Sequence, residues 1–151
     1  MDGISRLYKS LPLWPFPRAR ANHHVSVADR YRSAQDWPRA AAHYERALQI
    51  DPERRPIWVQ LGHALKEAGK LDAALEAYRR GSELPGDDGD APFHQGMLAY
   101  RMGQVARAEA ALIQALREDP EQPDVRREVL EIFKHELDLD FYQSAYPDLR
   151  K

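Results

Sequence analysis

The chain contains no cysteine. That excludes disulfide frameworks, thiolate zinc sites and cysteine nucleophiles together, and it fits a reducing compartment. It has no dominant charge either. The 22 Lys and Arg residues stand against 24 Asp and Glu, for a net charge of −2, so nothing global attracts nucleic acid or anionic lipid. Long apolar runs are missing too. The patch "LPLWPFP" is interrupted by prolines and is too short for the hydrophobic segment of a signal peptide, and no other stretch nears the ~20 residues of a membrane span. What remains is a chain of 151 residues, 43% hydrophobic and 30% charged, a composition that suits one soluble domain or one module of a larger protein. The expectation is a cytoplasmic protein.

Catalytic signatures are absent as well. His23, His24, His43, His63, His94 and His135 form no His-x-x-x-His pair and no HExxH set, so spacing predicts no metal site. "KHELDLD" reads as a solvated helix end, and "DDGD" at 87–90 lacks the spacing of a twelve-residue calcium loop. There is no GxSxG elbow, no phosphate-cradling glycine loop and no nucleophile with a base near it. The segment is read as non-enzymatic, with no cofactor.

What is present is a repeat of 34 residues. Offset by that period, small residues align as Ala28, Gly62 and Gly96, as Ala40, Ala74 and Ala108, and as Ala47, Gly81 and Ala115. Bulky residues align between them: Trp37, Leu71 and Val105, then Tyr44, Tyr78 and Leu112. Within each unit the apolar positions recur three and four apart, as on a helix with one buried stripe. Gly69 and Gly103 fall between two such stretches, where a helix ends in a left-handed residue and the chain turns. Pro52 and Pro120, each after Asp, end the second stretch. The small columns predict close helix approach, and the large columns fill the adjoining holes.

These residues resemble the tetratricopeptide repeat, with Trp58, Leu61, Gly62, Leu65, Gly69, Ala74 and Tyr78 matching its pattern best. The resemblance implies an all-α, right-handed superhelix (α-solenoid) of three helix-turn-helix repeats at 21–54, 55–88 and 89–122. A Pro/aromatic arm would precede it over 1–20, a capping helix would follow over 123–138, and a tail over 139–151 would close the chain. The first unit departs from the pattern with His24 for a large residue and Gln35 for the turn glycine. The third departs with Pro92, Gln95 and Ala99.

In this family the first helix of each pair lines a concave groove that takes peptide segments. Carried over by helical phase, the groove would present Val25, Asp29 and Arg32, then Val59, His63 and Lys66, then Phe93, Met97, Tyr100 and Arg101. Arg32, Lys66 and Arg101 make one basic column, which would suit a protein or peptide partner with apolar and acidic groups. Repeats that clamp chaperone carboxyl termini use Lys, Asn and Arg where this chain has Val25, Asp29, Gln60, Asp90 and His94, so that role is not expected. Leu11, Leu13, Trp14 and Phe16 of the arm form a candidate segment that packs on its own superhelix or on a neighbour's, and a homodimer through the arm or the capping helix is a further expectation. No nucleic acid partner is expected.

The tail "LDLDFYQSAYPDLRK" carries Phe141, Tyr142, Tyr146, Pro147, Asp148 and Leu149 in a Phe-x-x-x-x-Tyr-Pro-Asp-hydrophobic pattern. It resembles a motif of bacterial glycosyltransferases of surface polysaccharide biosynthesis. The middle repeat is similar to tetratricopeptide segments near the amino terminus of such enzymes. That resemblance implies the non-catalytic amino-terminal part of a larger transferase. The competing expectations are a free-standing adaptor or scaffold unrelated to sugar chemistry, and a substrate-accepting domain of a modifying enzyme.

Overall fold

The computed structural model describes residues 17–120 together with 123, 126, 127, 129, 131 and 132. Six helices follow one another: α1 (Pro17–Ser33), α2 (Trp37–Ile50), α3 (Arg55–Glu67), α4 (Leu71–Ser82), α5 (Asp90–Arg101) and α6 (Val105–Glu118). No strand occurs among the described residues. Each helix packs on the next in order, and α3 also touches α5. This is the all-α solenoid expected from the repeat. The first helix of each pair stands beside the first helix of the pair after it.

The small columns work as anticipated. A methyl group placed on Gly62 would overlap the Tyr78 ring, and one on Gly96 would sit 2.5 Å from Leu112 Cγ. Tyr44, Tyr78 and Leu112 are themselves fully buried. Glycine or alanine at these crossings lets the backbones approach, and the large side chain of the second helix fills the space left. Ala28, Ala40, Ala74, Ala99 and Ala108 belong with Leu61, Leu65 and Tyr78 to a core running through the first two pairs into the third. A second cluster joins Leu112, Ile113, Ala115, Leu116 and Val129, with Phe93, Met97 and Ile132 packed against it.

The three turns inside the pairs share one geometry. The amides at 35, 69 and 103 donate to the carbonyls of Arg32, Lys66 and Tyr100, and the amides at 36, 70 and 104 reach back to Tyr31, Leu65 and Ala99. This doubled bond pattern needs a left-handed residue at its centre. Gly69 (φ 76°) and Gly103 (φ 73°) supply it without strain, whereas Gln35 is driven to φ 58°. The departure noted at Gln35 therefore changes residue type and leaves the turn intact. At the other connections, helices α2 and α6 end just before Asp51 and Asp119, and the backbone N–H of each aspartate bonds to Ala47 O and Ala115 O.

One boundary moves. Residues 17–20 were assigned to the arm, but α1 already begins at Pro17. Proline is pre-organised for the first helical position, and Ala21, one turn on, is fully buried. At the other end, the described residues from 123 to 132 are helical. Val129 is fully buried there, where a capping helix was expected. The arm residues Leu11, Leu13, Trp14 and Phe16 lie outside the described residues. So do Leu130 and Phe133 of the expected cap, and the tail motif from Phe141 to Leu149.

Candidate functional site

The residues expected to line the groove come from α1, α3 and α5, and contacts link some of them from one helix to the next. Asp29 on α1 accepts a hydrogen bond from the Tyr44 hydroxyl (2.6 Å) and stands 3.5 Å from Arg32 Nη2. Arg32 reaches across to α3 and donates to Gln60 Oε1 at 2.7 Å. From α3 the strip continues to α5, where the His63 and His94 rings meet edge to face with centroids 4.4 Å apart. Phe93 and Met97 flank His94 on α5, partly exposed above the second core cluster, with Tyr100 partly buried against the first. Arg101 at the end of α5 is exposed. Beside α1, an open hollow of about 580 Å³ is lined by Asn22, Val25, Ser26, Asp29, Arg30 and Ser33.

Two expectations need correction. Val59 is only 3% exposed and belongs to the core, so it offers nothing to a ligand. Helical phase alone placed it on the groove face, but close stacking of successive pairs covers that position. The basic column is also largely compensated from within the molecule. Arg32 is shared between Asp29 and Gln60, and Lys66 Nζ lies 3.4 Å from Glu67. A salt bridge between partly exposed side chains is weak, but it leaves less uncompensated positive charge than the sequence suggested.

The centre of the strip is a tight aromatic and imidazole group. The Tyr78 hydroxyl and His63 Nδ1 are 2.9 Å apart, and Tyr78 also stacks on His94. Burial, then the neighbouring His94 and Lys66, push His63 down to a pKa of about 4, so it is neutral near pH 7. Its other nitrogen can then act as a hydrogen-bond donor or acceptor, according to tautomer. Asp90 Oδ1 lies 3.1 Å from His94 Nε2, and that hydrogen bond is the main reason the Asp90 carboxyl is held below its ordinary range. Burial above all drives the Tyr78 hydroxyl upward.

Several contributors escaped sequence reasoning. Arg55 is 6% exposed. Its guanidinium donates to Leu84 O at 2.8 Å and to the Glu118 carboxylate, with Asp88 at 3.4 Å. It thereby pins the 83–89 connection onto α3 and α6. A signal existed: the 34-residue column through Arg55 holds Ala21 and Gly89, both buried, and an arginine in a buried small-residue column must be paired. Histidine spacing likewise hid a contact. His24 and His43, nineteen residues apart, face each other with Nδ1 atoms 3.2 Å apart. Among the described residues no group of three or more His, Asp or Glu is arranged to hold a metal ion.

A solenoid of helix pairs stacked on one repeated pattern defines an interaction domain of repeated units. Two tetratricopeptide repeat models match the chain, over residues 31–96 and 93–148. A TPR repeat-containing protein of Pseudomonas aeruginosa is 33% identical over 70 residues, covering 46% of this chain and 67% of that protein. The chain belongs to the tetratricopeptide repeat family. Superkiller protein 3 of Schizosaccharomyces pombe is 28% identical over 133 residues, which is 85% of this chain but 10% of that protein. The chain thus spans about a tenth of that longer relative. Among solved structures, the first TPR of Spaghetti (RPAP3) bound to an HSP90 peptide superposes with TM-score 0.69 at 14% identity, covering 78% of this chain and 94% of that one. The Yersinia enterocolitica type III secretion chaperone SycD in complex with a peptide of the translocator YopD gives 0.64 at 18%, covering 75% and 86%. At such identities these two likenesses establish the fold alone. No described helix is long and apolar enough to cross a membrane.

Proposed function

We propose that this chain is a protein-interaction module that holds a peptide segment of a partner, or of a second copy of itself, in the strip running from Asp29 and Arg32 through His63 and His94 to Met97 and Arg101. The observation that carries this reading is the pair of bridges between successive first helices, Arg32 to Gln60 and His63 to His94. They join side chains of three helices into one surface long enough for an extended or helical segment. Its apolar end at Phe93, Met97 and Tyr100 supplies contact area, and Arg101 supplies a charge for an acidic group. That SycD and the Spaghetti repeat domain are seen with peptides supports the reading by analogy of fold. Replacing Met97 and Arg101 together by Glu should abolish partner retention in a binding assay with the folded chain; unchanged retention would remove the strip from consideration.

The finer part of the proposal is that the module forms the amino-terminal, non-catalytic portion of a bacterial glycosyltransferase of polysaccharide or glycoprotein biosynthesis. Its support is the pattern of Phe141, Tyr142, Tyr146, Pro147, Asp148 and Leu149. Immunoblotting the native polypeptide with an antibody against residues 21–122 tests it. A band far above 17.4 kDa agrees with a transferase, while a band at that mass leaves a free-standing adaptor.

A further inference from the structure

The first helix pair carries a second surface, unlike the strip. Three of the 34-residue columns are apolar in the later pairs: Trp58, Leu65 and Ala77 in the second, Pro92, Ala99 and Ala111 in the third. Trp58 is half-buried and the other five are buried. In the first pair the same columns hold His24, Tyr31 and His43, all partly exposed. The columns through Tyr31 and His43 are covered in the second and third pairs and open in the first, and such positions face the pair before. Among the described residues no helix precedes α1, and none packs on this leading face as the earlier pair packs on the second and third.

The leading face is ordered and mostly basic, with Asp36 paired to its Arg39 at 2.9 Å. His43 stacks on Tyr31 at 5.6 Å, Arg39 lies 5.7 Å over the same ring, and His24 Nδ1 meets His43 Nδ1 at 3.2 Å. The charged groups acting on the two imidazoles are all basic: His23, Arg20 and Arg30 from α1, and Arg46 from α2. Burial first, and these neighbours after it, hold both histidines below their ordinary range. The whole chain is divided in the same sense, with eight basic and four acidic residues in 1–50 against fourteen and twenty in 51–151.

We propose that the leading face of the first helix pair docks an acidic segment of a partner protein, with Arg20, Arg46, His24 and His43 facing its carboxylates. Two imidazoles at this distance could also hold a soft divalent cation, but the charged groups acting on the pair are basic and repel one. A polynucleotide would have to extend over the acidic remainder of the chain. The histidine pair adds a proton linkage. One Nδ1–H donates to the other Nδ1, so the pair can accept a proton at a free Nε2 without losing that bond, and a docked carboxylate supplies the counter-charge. Docking therefore takes up protons and tightens as pH falls.

Fluorescence anisotropy of a dye-labelled poly-glutamate peptide with the full chain tests this. Affinity should rise about fivefold to tenfold from about pH 7.5 to about pH 6 and fall with added salt. The double variant Arg20→Gln/Arg46→Gln should weaken binding about tenfold at both pH values. His24→Gln/His43→Gln should keep the binding at the higher pH but lose the gain at the lower. Circular dichroism confirms that each variant is folded, and Arg46→Glu alone, at an exposed position, replaces the double variant if that fails to fold. The proposal is overturned if the arginine variants bind normally, or if the loss follows Met97→Ala/Arg101→Gln in the other strip. A labelled oligonucleotide that binds more tightly than poly-glutamate also overturns it, as does a zinc-induced rise in Tm that His24→Gln removes.

Discussion

The Tyr78 ring occupies the space that a side chain on Gly62 would need. One glycine thereby sets how closely α3 and α4 approach, and its counterpart Gly96 stands in the same relation to Leu112 on α6.

Gly62→Ala should therefore destabilise the chain although alanine is the better helix former. The propensity gain of about 1 kcal/mol is outweighed by overpacking against a rigid, fully buried ring, which costs about 1–3 kcal/mol or more. Gly96→Ala should cost less, because Leu112 can change rotamer. Urea titrations of both variants measure the difference; equal or stabilising effects would mean the helices can separate freely.

Gln35→Gly acts in the opposite direction. An L-residue other than glycine in the left-handed region costs roughly 1 kcal/mol, and Gln35 sits there at φ 58°. The substitution should raise stability by about 0.5–1 kcal/mol, less what glycine adds to the entropy of the unfolded chain. The same change at Ala34, immediately before the left-handed residue, should give no gain. A scanning calorimeter resolves the two.

Arg55→Met should cost about 3 kcal/mol or more, since it leaves Glu118, 16% exposed, without its buried partner. Removing both charges with Arg55→Met/Glu118→Gln should recover much of the loss. A double-mutant cycle that returned simple additivity would show that the pair is not coupled.

His63 makes stability depend on pH. Its pKa is near 4 in the folded chain against 6.5 unfolded, so the unfolded state binds the extra proton first. Stability is therefore full above about pH 6.5 and falls as pH drops toward 4, by an amount of order 1–3 kcal/mol after allowance for partial exposure. His63→Gln should flatten that part of the profile. An unchanged slope would assign the loss to other groups.

The helix pairs, their turns and their crossings were legible because each is encoded within one repeat. Gly69 and Gly103 mark turns, and Ala28, Gly62 and Gly96 mark crossings, through requirements that backbone geometry imposes locally. The repetition of those marks at a fixed interval removed ambiguity about register. The groove was legible only in part. Helical phase put Asp29, Arg32, His63 and Met97 at positions that are partly exposed, yet it failed for Val59, whose exposure depends on how closely its neighbours pack. Arg55 was hidden for a related reason: its partners lie far along the chain, Leu84 and Asp88 at the end of its own repeat and Glu118 in the next.

From the sequence alone come the period, the α-helical class and the residues on each buried stripe, all consequences of short-range sterics and apolar periodicity. The tertiary structure decided the rest. It compensated the basic column through Asp29, Gln60 and Glu67, buried Arg55, and brought His24 against His43 and His63 against His94. Electrostatic and imidazole contacts of this kind depend on distances between side chains far apart in the chain, and those distances are set only when the helix pairs stack.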